Sequence, residues 1–137
     1  MKKVMIFGTF DGLHLGHLNF FEQAKSHGDF LIVVVARDFW SEKIKEKKPH
    51  FAERSRVAQV TAKKIVDRAV LGSPTFDYIS IIKQENPDVI CLGYDQKHDE
   101  TDLKAELAKE SLSHVKVVRL KPYKPDIFKT SKLRKDV

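Results

Sequence analysis

Short apolar runs rich in β-branched residues alternate with helix-like segments along this chain, and that alternation leaves few folds open to it. The runs fall at Val4 to Phe7, Leu31 to Val35, Ala69 to Leu71, Val89 to Leu92 and Val115 to Leu120. Each is short enough for a strand buried on both faces. Between them, His17 to Ser26 sets Leu18, Phe21 and Ala24 on one stripe and stops before Gly28, which reads as a C-terminal cap. A second helix is expected over Ala52 to Lys64, with Val57, Val60 and Thr61 facing inward. Tyr78 to Glu85 carries Ile79 and Ile82 ahead of Pro87, and Leu103 to Lys109 carries Leu103 and Leu107. The order predicts an α/β fold, a doubly wound, parallel five-stranded sheet with helices on both faces. In such a sheet ligands bind beyond the carboxyl ends of the strands, where the strand order reverses.

At 137 residues the chain fits a single domain, expected to span 1–137. Its 42% hydrophobic and 32% charged residues describe a folded globule rather than a disordered polymer. The longest apolar run, Phe30 to Ala36, is far below the roughly 20 residues of a membrane helix. With no signal-peptide pattern at its start, the chain is expected to be cytoplasmic, without a membrane partner. Cys91 is the sole cysteine, so an intrachain disulfide is excluded and an inert core thiol is expected. The net charge of +6 suits polyanionic partners, but charge alone does not choose between nucleic acid and free phosphates.

The segment following the first strand reads Gly8-Thr9-Phe10-Asp11-Gly12-Leu13-His14-Leu15-Gly16-His17 and leads into the first helix. Gly8 can bring the backbone close to a ligand, and the amides at the start of the helix favour an anion. His14 and His17 stand at the helix entrance, where both imidazoles can donate hydrogen bonds to phosphate oxygens, and Gly16 leaves room between them. Two other readings compete. Such a pair also suits a metal, though no thiol is near in sequence and a full ligand set is not identifiable. Either ring can also simply cap or pack on the helix. Phe10 reads first as core.

Thr9, His14, Gly16 and His17 in this spacing resemble the signature of the HxGH nucleotidylyltransferase superfamily. The likeness extends over nearly the whole chain and is nearest to FAD synthases of the archaeal type, with glycerol-3-phosphate cytidylyltransferases next. It implies a Rossmann-like domain in which His14 and His17 contact the triphosphate and stabilise the transition state. Gly8, Thr9, Phe10 and Gly16 would then line the nucleotide site.

Three further segments fit that resemblance. Lys43, Lys45, Lys47 and Lys48 follow the second strand; a charge run is usually a solvated face, but related cytidylyltransferases use lysines from this region on acceptor and triphosphate, which points to Lys43 and Lys45. Glu53-Arg54-Ser55-Arg56 reads as structural, with Arg56 a weaker phosphate candidate. Gly93-Tyr94-Asp95-Gln96 closes the fourth strand and is similar to the FAD synthase form of the family; Gly93 would admit the nucleoside and Asp95 would accept hydrogen bonds from ribose or base, the alternative being a plain turn. Near the end, Thr130, Ser131 and Lys132 match the superfamily's second signature, whose hydroxyls and amides can hold phosphate or simply cap a helix. Lys129 departs from that pattern, and with only six residues after Ser131 the terminal helix is expected to be short.

The expected reaction is transfer of a nucleoside monophosphate from a nucleoside triphosphate to a phosphate-bearing acceptor with release of pyrophosphate. The first choice is ATP and FMN giving FAD. Transfer of CMP to glycerol 3-phosphate or a similar polyol phosphate is the alternative, and a non-catalytic nucleotide sensor is a third reading. Magnesium is the expected ion, since triphosphate oxygens hold it with few protein ligands. Small-molecule substrates are the expected partners rather than nucleic acid, and the resemblance allows a homodimer.

Overall fold

The computed structural model describes residues 1–39, 48–74, 77–97 and 99–122. Within them the strands are β1 (Lys3–Gly8), β2 (Phe30–Val35), β3 (Arg68–Leu71), β4 (Val89–Leu92) and β5 (Lys116–Arg119). The helices are α1 (Leu15–Lys25), α2 (Glu53–Thr61), α3 (Tyr78–Glu85) and α4 (Glu100–Lys109). Successive residues of a strand point to opposite faces, and here both faces are apolar. Val4, Ile6, Leu31, Val33 and Cys91 meet Phe21 and Ala24 of α1 and Val60 of α2 on one side. Met5, Ile32, Val34, Ile90 and Leu92 meet Ile81 and Ile82 of α3 and Leu103 and Leu107 of α4 on the other.

The strands run in the order β3-β2-β1-β4-β5, and every pairing is parallel. From β1 the chain builds outward to β3, then returns across the sheet to lay β4 on the other side of β1. The reversal therefore lies between β1 and β4, whose following loops leave in opposite directions and open a crevice. The doubly wound sheet expected from the alternation is the one observed. No helix among the described residues is long and apolar enough to cross a membrane.

Several local expectations differ from the structure. Helix α1 begins at Leu15 rather than His17, because the His14 side chain caps it. It ends at Ser26, not at a left-handed glycine. Gly28 is needed for a different reason: a Cβ there would stand 2.7 Å from the Lys2 carbonyl oxygen. Helix α2 spans Glu53–Thr61, and Thr61 is exposed; Val57 and Val60 face inward as expected, joined unexpectedly by Arg56. Cys91 is buried in the sheet as expected, and burial pushes its thiol up to about 12, which keeps it protonated and unreactive.

Candidate active site

His14 has extended backbone, and its Nδ1 accepts from the Gly16 N–H at 3.0 Å, as an N-cap side chain should. The His14 N–H in turn donates to Nδ1 of His17 at 3.2 Å. The two histidines thus form a reciprocal capping box in the places usually held by serine or threonine and glutamate. A backbone N–H can be accepted only by an unprotonated ring nitrogen, so the ring proton of each histidine sits on Nε2. Capping and chemistry are therefore compatible: Nδ1 fixes each ring, and Nε2–H becomes a donor of set direction. The rings lie together, centroids 3.9 Å apart, and His17 packs at 5.5 Å against Phe10. The first turn of α1 has no acidic residue to compete with an anion for its amides.

Both histidines line a cavity of about 900 Å³ at the carboxyl ends of β1 and β4. One wall is the end of β1 and the loop after it, with Gly8, Thr9 and Phe10; another is α1, with Gly16, Asn19 and Phe20; the turn after β4, with Gly93, Tyr94 and Asp95, closes the far side. Tyr94 is 55% exposed at the rim. Thus Gly8, Thr9, Phe10, His14, Gly16, His17, Gly93 and Asp95 all meet at one cavity, while Lys43, Lys45, Thr130 and Ser131 lie outside the described residues.

Gly8 works differently from the expectation, while Phe10 is core, as it first reads. The space a Gly8 side chain would occupy is filled by Phe10, whose ring would be 2.6 Å from an added Cβ. Phe10 itself has a left-handed backbone (φ 53°), and its ring is buried in the core beneath α1. Gly8 therefore makes room for Phe10 before it makes room for any ligand.

Arg56 is not a phosphate ligand. Its side chain is fully buried (0% exposed) and donates to the carbonyls of Phe51 (2.9 Å), Thr9 (2.8 Å) and Ala36 (2.9 Å) and to Asp38 Oδ1 (2.6 Å). One guanidinium so fastens the loop after β1, the loop after β2 and the approach to α2. Asp11 adds a second fastening, accepting from the His50 and Phe51 N–H groups at 2.6 and 2.8 Å. Partial burial raises the Asp11 carboxyl; those two amides and the Arg56 charge more than offset this and hold it below the usual carboxylate value.

The far wall is braced by residues that the sequence did not single out for this purpose. Gln96 accepts from Gly93 N–H at 2.9 Å and donates from Nε2 to the Phe7 carbonyl at 2.7 Å. Arg119 of β5 donates to the carbonyls of Gly93 and Gln96 at 2.7 and 2.8 Å and is paired with Glu100 at 2.7 Å. Gln23 of α1 grips the Lys121 backbone at both its N–H and its carbonyl. Apart from the Gln96–Gly93 bond within the turn, these are tertiary contacts between distant segments, which local spacing does not display.

A family model described as cytidylyltransferase-like matches residues 5–136. The chain is 42% identical over 137 residues to an FAD synthase of Thermoplasma volcanium, covering 100% of this chain and 94% of that one. It is 47% identical over 123 residues to an FAD synthase of Aciduliprofundum boonei, covering 90% and 80%. Among solved structures, one described as the lipopolysaccharide core biosynthesis protein from Thermoplasma volcanium superposes with a TM-score of 0.86 at 44% identity, over 90% of this chain and 99% of that one. A pantoate-beta-alanine ligase from Francisella tularensis shares the fold alone, with a TM-score of 0.56 at 16% identity over 90% and 61%.

Proposed function

The chain belongs to the cytidylyltransferase-like family, among relatives that are FAD synthases, and from that premise we propose that it transfers AMP from ATP to FMN, forming FAD and releasing pyrophosphate. It is a nucleotidylyltransferase. An FMN phosphate oxygen attacks the α-phosphorus of ATP in line, the bond to the bridging oxygen breaks, and pyrophosphate leaves on the opposite side. No covalent enzyme intermediate is required, so the protein's task is to position two anions and stabilise the charge that grows between them.

One observation carries the assignment of roles. The histidine capping box at the N-terminus of α1 lines the cavity, and with each Nδ1 accepting a backbone N–H, Nε2 is the donor nitrogen of each ring. On this reading His14 and His17 donate to triphosphate oxygens as charge develops on them, and the amides of the first turn of α1 add their dipole. Thr9 and Gly16 line the phosphate end of the cavity; Phe20 and the Tyr94 ring offer flat apolar surface for a base. Asp95 is the carboxylate of the described lining and is exposed, so it can accept a hydrogen bond from a ribose hydroxyl or the base. Magnesium carried in on ATP would neutralise phosphate charge there and would need few protein ligands, which a site whose described lining holds one carboxylate, Asp95, accommodates. Lys43, Lys45, Thr130 and Ser131 are assigned to phosphate through the family resemblance.

The test is direct. Incubation with ATP, FMN and magnesium should quench flavin fluorescence while releasing pyrophosphate in equal amount. CTP with glycerol 3-phosphate should release none. Pyrophosphate release in the second mixture and not in the first would replace the flavin assignment with the polyol-phosphate one, and release in neither would favour a sensor.

A further inference from the structure

The two strands that flank the reversal separate before they end. β1 keeps its register with β2 over all six residues, from Lys3 opposite Phe30 to Gly8 opposite Val35. Against β4 it pairs only through Val4 with Val89 and Met5 with Ile90. Continued by two residues, that register sets Phe7 opposite Leu92. In a parallel ladder the Phe7 carbonyl would then accept from the Gly93 N–H, one residue beyond. This rung is replaced by a side chain. The Gln96 carboxamide sits in it, Nε2 donating to the Phe7 carbonyl at 2.7 Å and Oε1 accepting from the Gly93 N–H at 2.9 Å.

From this geometry we infer that Gln96 is a spacer that holds the crevice between β1 and β4 at a fixed width, and is thereby a positioning residue for nucleotide binding. The argument rests on which groups it joins. Phe7 and Gly8 end β1 and lead into the loop that carries Thr9 and reaches the histidines at the start of α1; Gly93 opens the turn that carries Tyr94 and Asp95. A carboxamide bonded to both makes the distance between the two walls a property of one rigid group. Side-chain length and chemistry are both constrained: an acceptor must face Gly93 and a donor must face Phe7. Arg119 prevents the turn from simply following Gln96, since it holds the Gly93 and Gln96 carbonyls from below. A nucleotide that touches both walls reads that width, and ATP binding reports it directly.

The proposal rests on the nucleotidylyltransferase reading but is tested without it, by direct binding of ATP to the purified chain in a calorimeter. Q96E keeps the size and the acceptor toward Gly93 but sets a carboxylate oxygen against the Phe7 carbonyl. Q96M keeps the length and removes both bonds. The expected result is ATP binding at least ten-fold weaker in each, with near-UV circular dichroism unchanged. In the coupled assay, kcat/KM for ATP falls at least ten-fold while KM for FMN stays within two-fold. ATP affinity within two-fold of the original chain in both variants overturns the proposal. An equal rise in both KM values also overturns it, because that is general loosening rather than a set width. If neither variant folds, Gln96 is a stability residue and the proposal fails. A chain that binds ATP in a Gln96-dependent way yet forms no FAD would refute the reaction and leave the spacer standing.

Discussion

Histidine is an unusual N-cap, since serine, threonine, aspartate and asparagine supply the oxygen that most helices use. At position 14 that substitution separates two jobs that one residue performs. Asparagine can cap through Oδ1, but its Nδ2 donor lies too close to the backbone to reach where histidine Nε2 does, so His14→Asn should leave thermal stability close to that of the original chain and lower turnover about 100-fold. His17→Ala should lower turnover by a similar order; normal pyrophosphate release in either variant would remove that ring from the mechanism. Arg56 presents the opposite case, a charged residue with no access to substrate. Arg56→Met should destabilise the fold by about 3 kcal/mol, because it leaves Asp38 and three part-buried carbonyls without their donor; urea denaturation measures this, and a change under about 1 kcal/mol would contradict the fastening role. The difference between these residues also explains what could be read in advance. The histidine pair was legible because cap, amides and rings lie within four consecutive residues. Arg56 was not, because its acceptors come from separate segments whose convergence is a property of the tertiary fold.

The strands were read nearly to the residue, since a sheet covered on both sides demands unbroken apolar runs and little else in the chain has them. Helix ends were read less well. Leu15 precedes the periodic stripe, and only the cap at His14 defines it as helical. At the opposite edge of the sheet from the site, a pattern of aspartates went unread. Asp29, Asp67 and Asp88 each precede a strand, and they accept from the N–H groups of Lys2, Leu31 and Lys3 respectively, so each ties its strand to a neighbour. Asp67 does most, since Lys25 also donates to it at 2.6 Å. Partial burial raises the Asp67 carboxyl, but the Lys25 ammonium and the Leu31 N–H outweigh that and leave it below its usual value. A carboxyl depressed in the folded state contributes stability that is present above its unfolded value, about 3.9, and lost as pH falls through the folded value. Asp67→Asn should therefore lower stability by about 1 kcal/mol at neutral pH and flatten the decline below about pH 4. Denaturant midpoints at pH 7 and pH 3 decide it; an equal loss at both would mean that the charge is irrelevant.

At the scale of the whole molecule, the sheet's reversal, the cavity and the net charge of +6 act together. A triphosphate approaching the crevice meets the end of α1 only after passing the rim, where Lys97 and Lys121 are exposed. Capture from solution therefore depends on charges separated from the phosphates by water, and such interactions are screened over a Debye length of about 10 Å at 0.1 M salt and about 3 Å at 1 M. The chemical step depends on donors in direct contact with phosphate oxygens, which salt screens far less. Raising potassium chloride from about 0.1 to about 1 M should accordingly raise KM for ATP several-fold while kcat changes little. Lys97→Ala should show a smaller rise over the same range, starting from a higher KM at low salt. A salt effect falling mainly on kcat would place the screened charges inside the reacting complex instead. A Lys97→Ala salt profile parallel to the original would assign the long-range attraction to other cations of the chain.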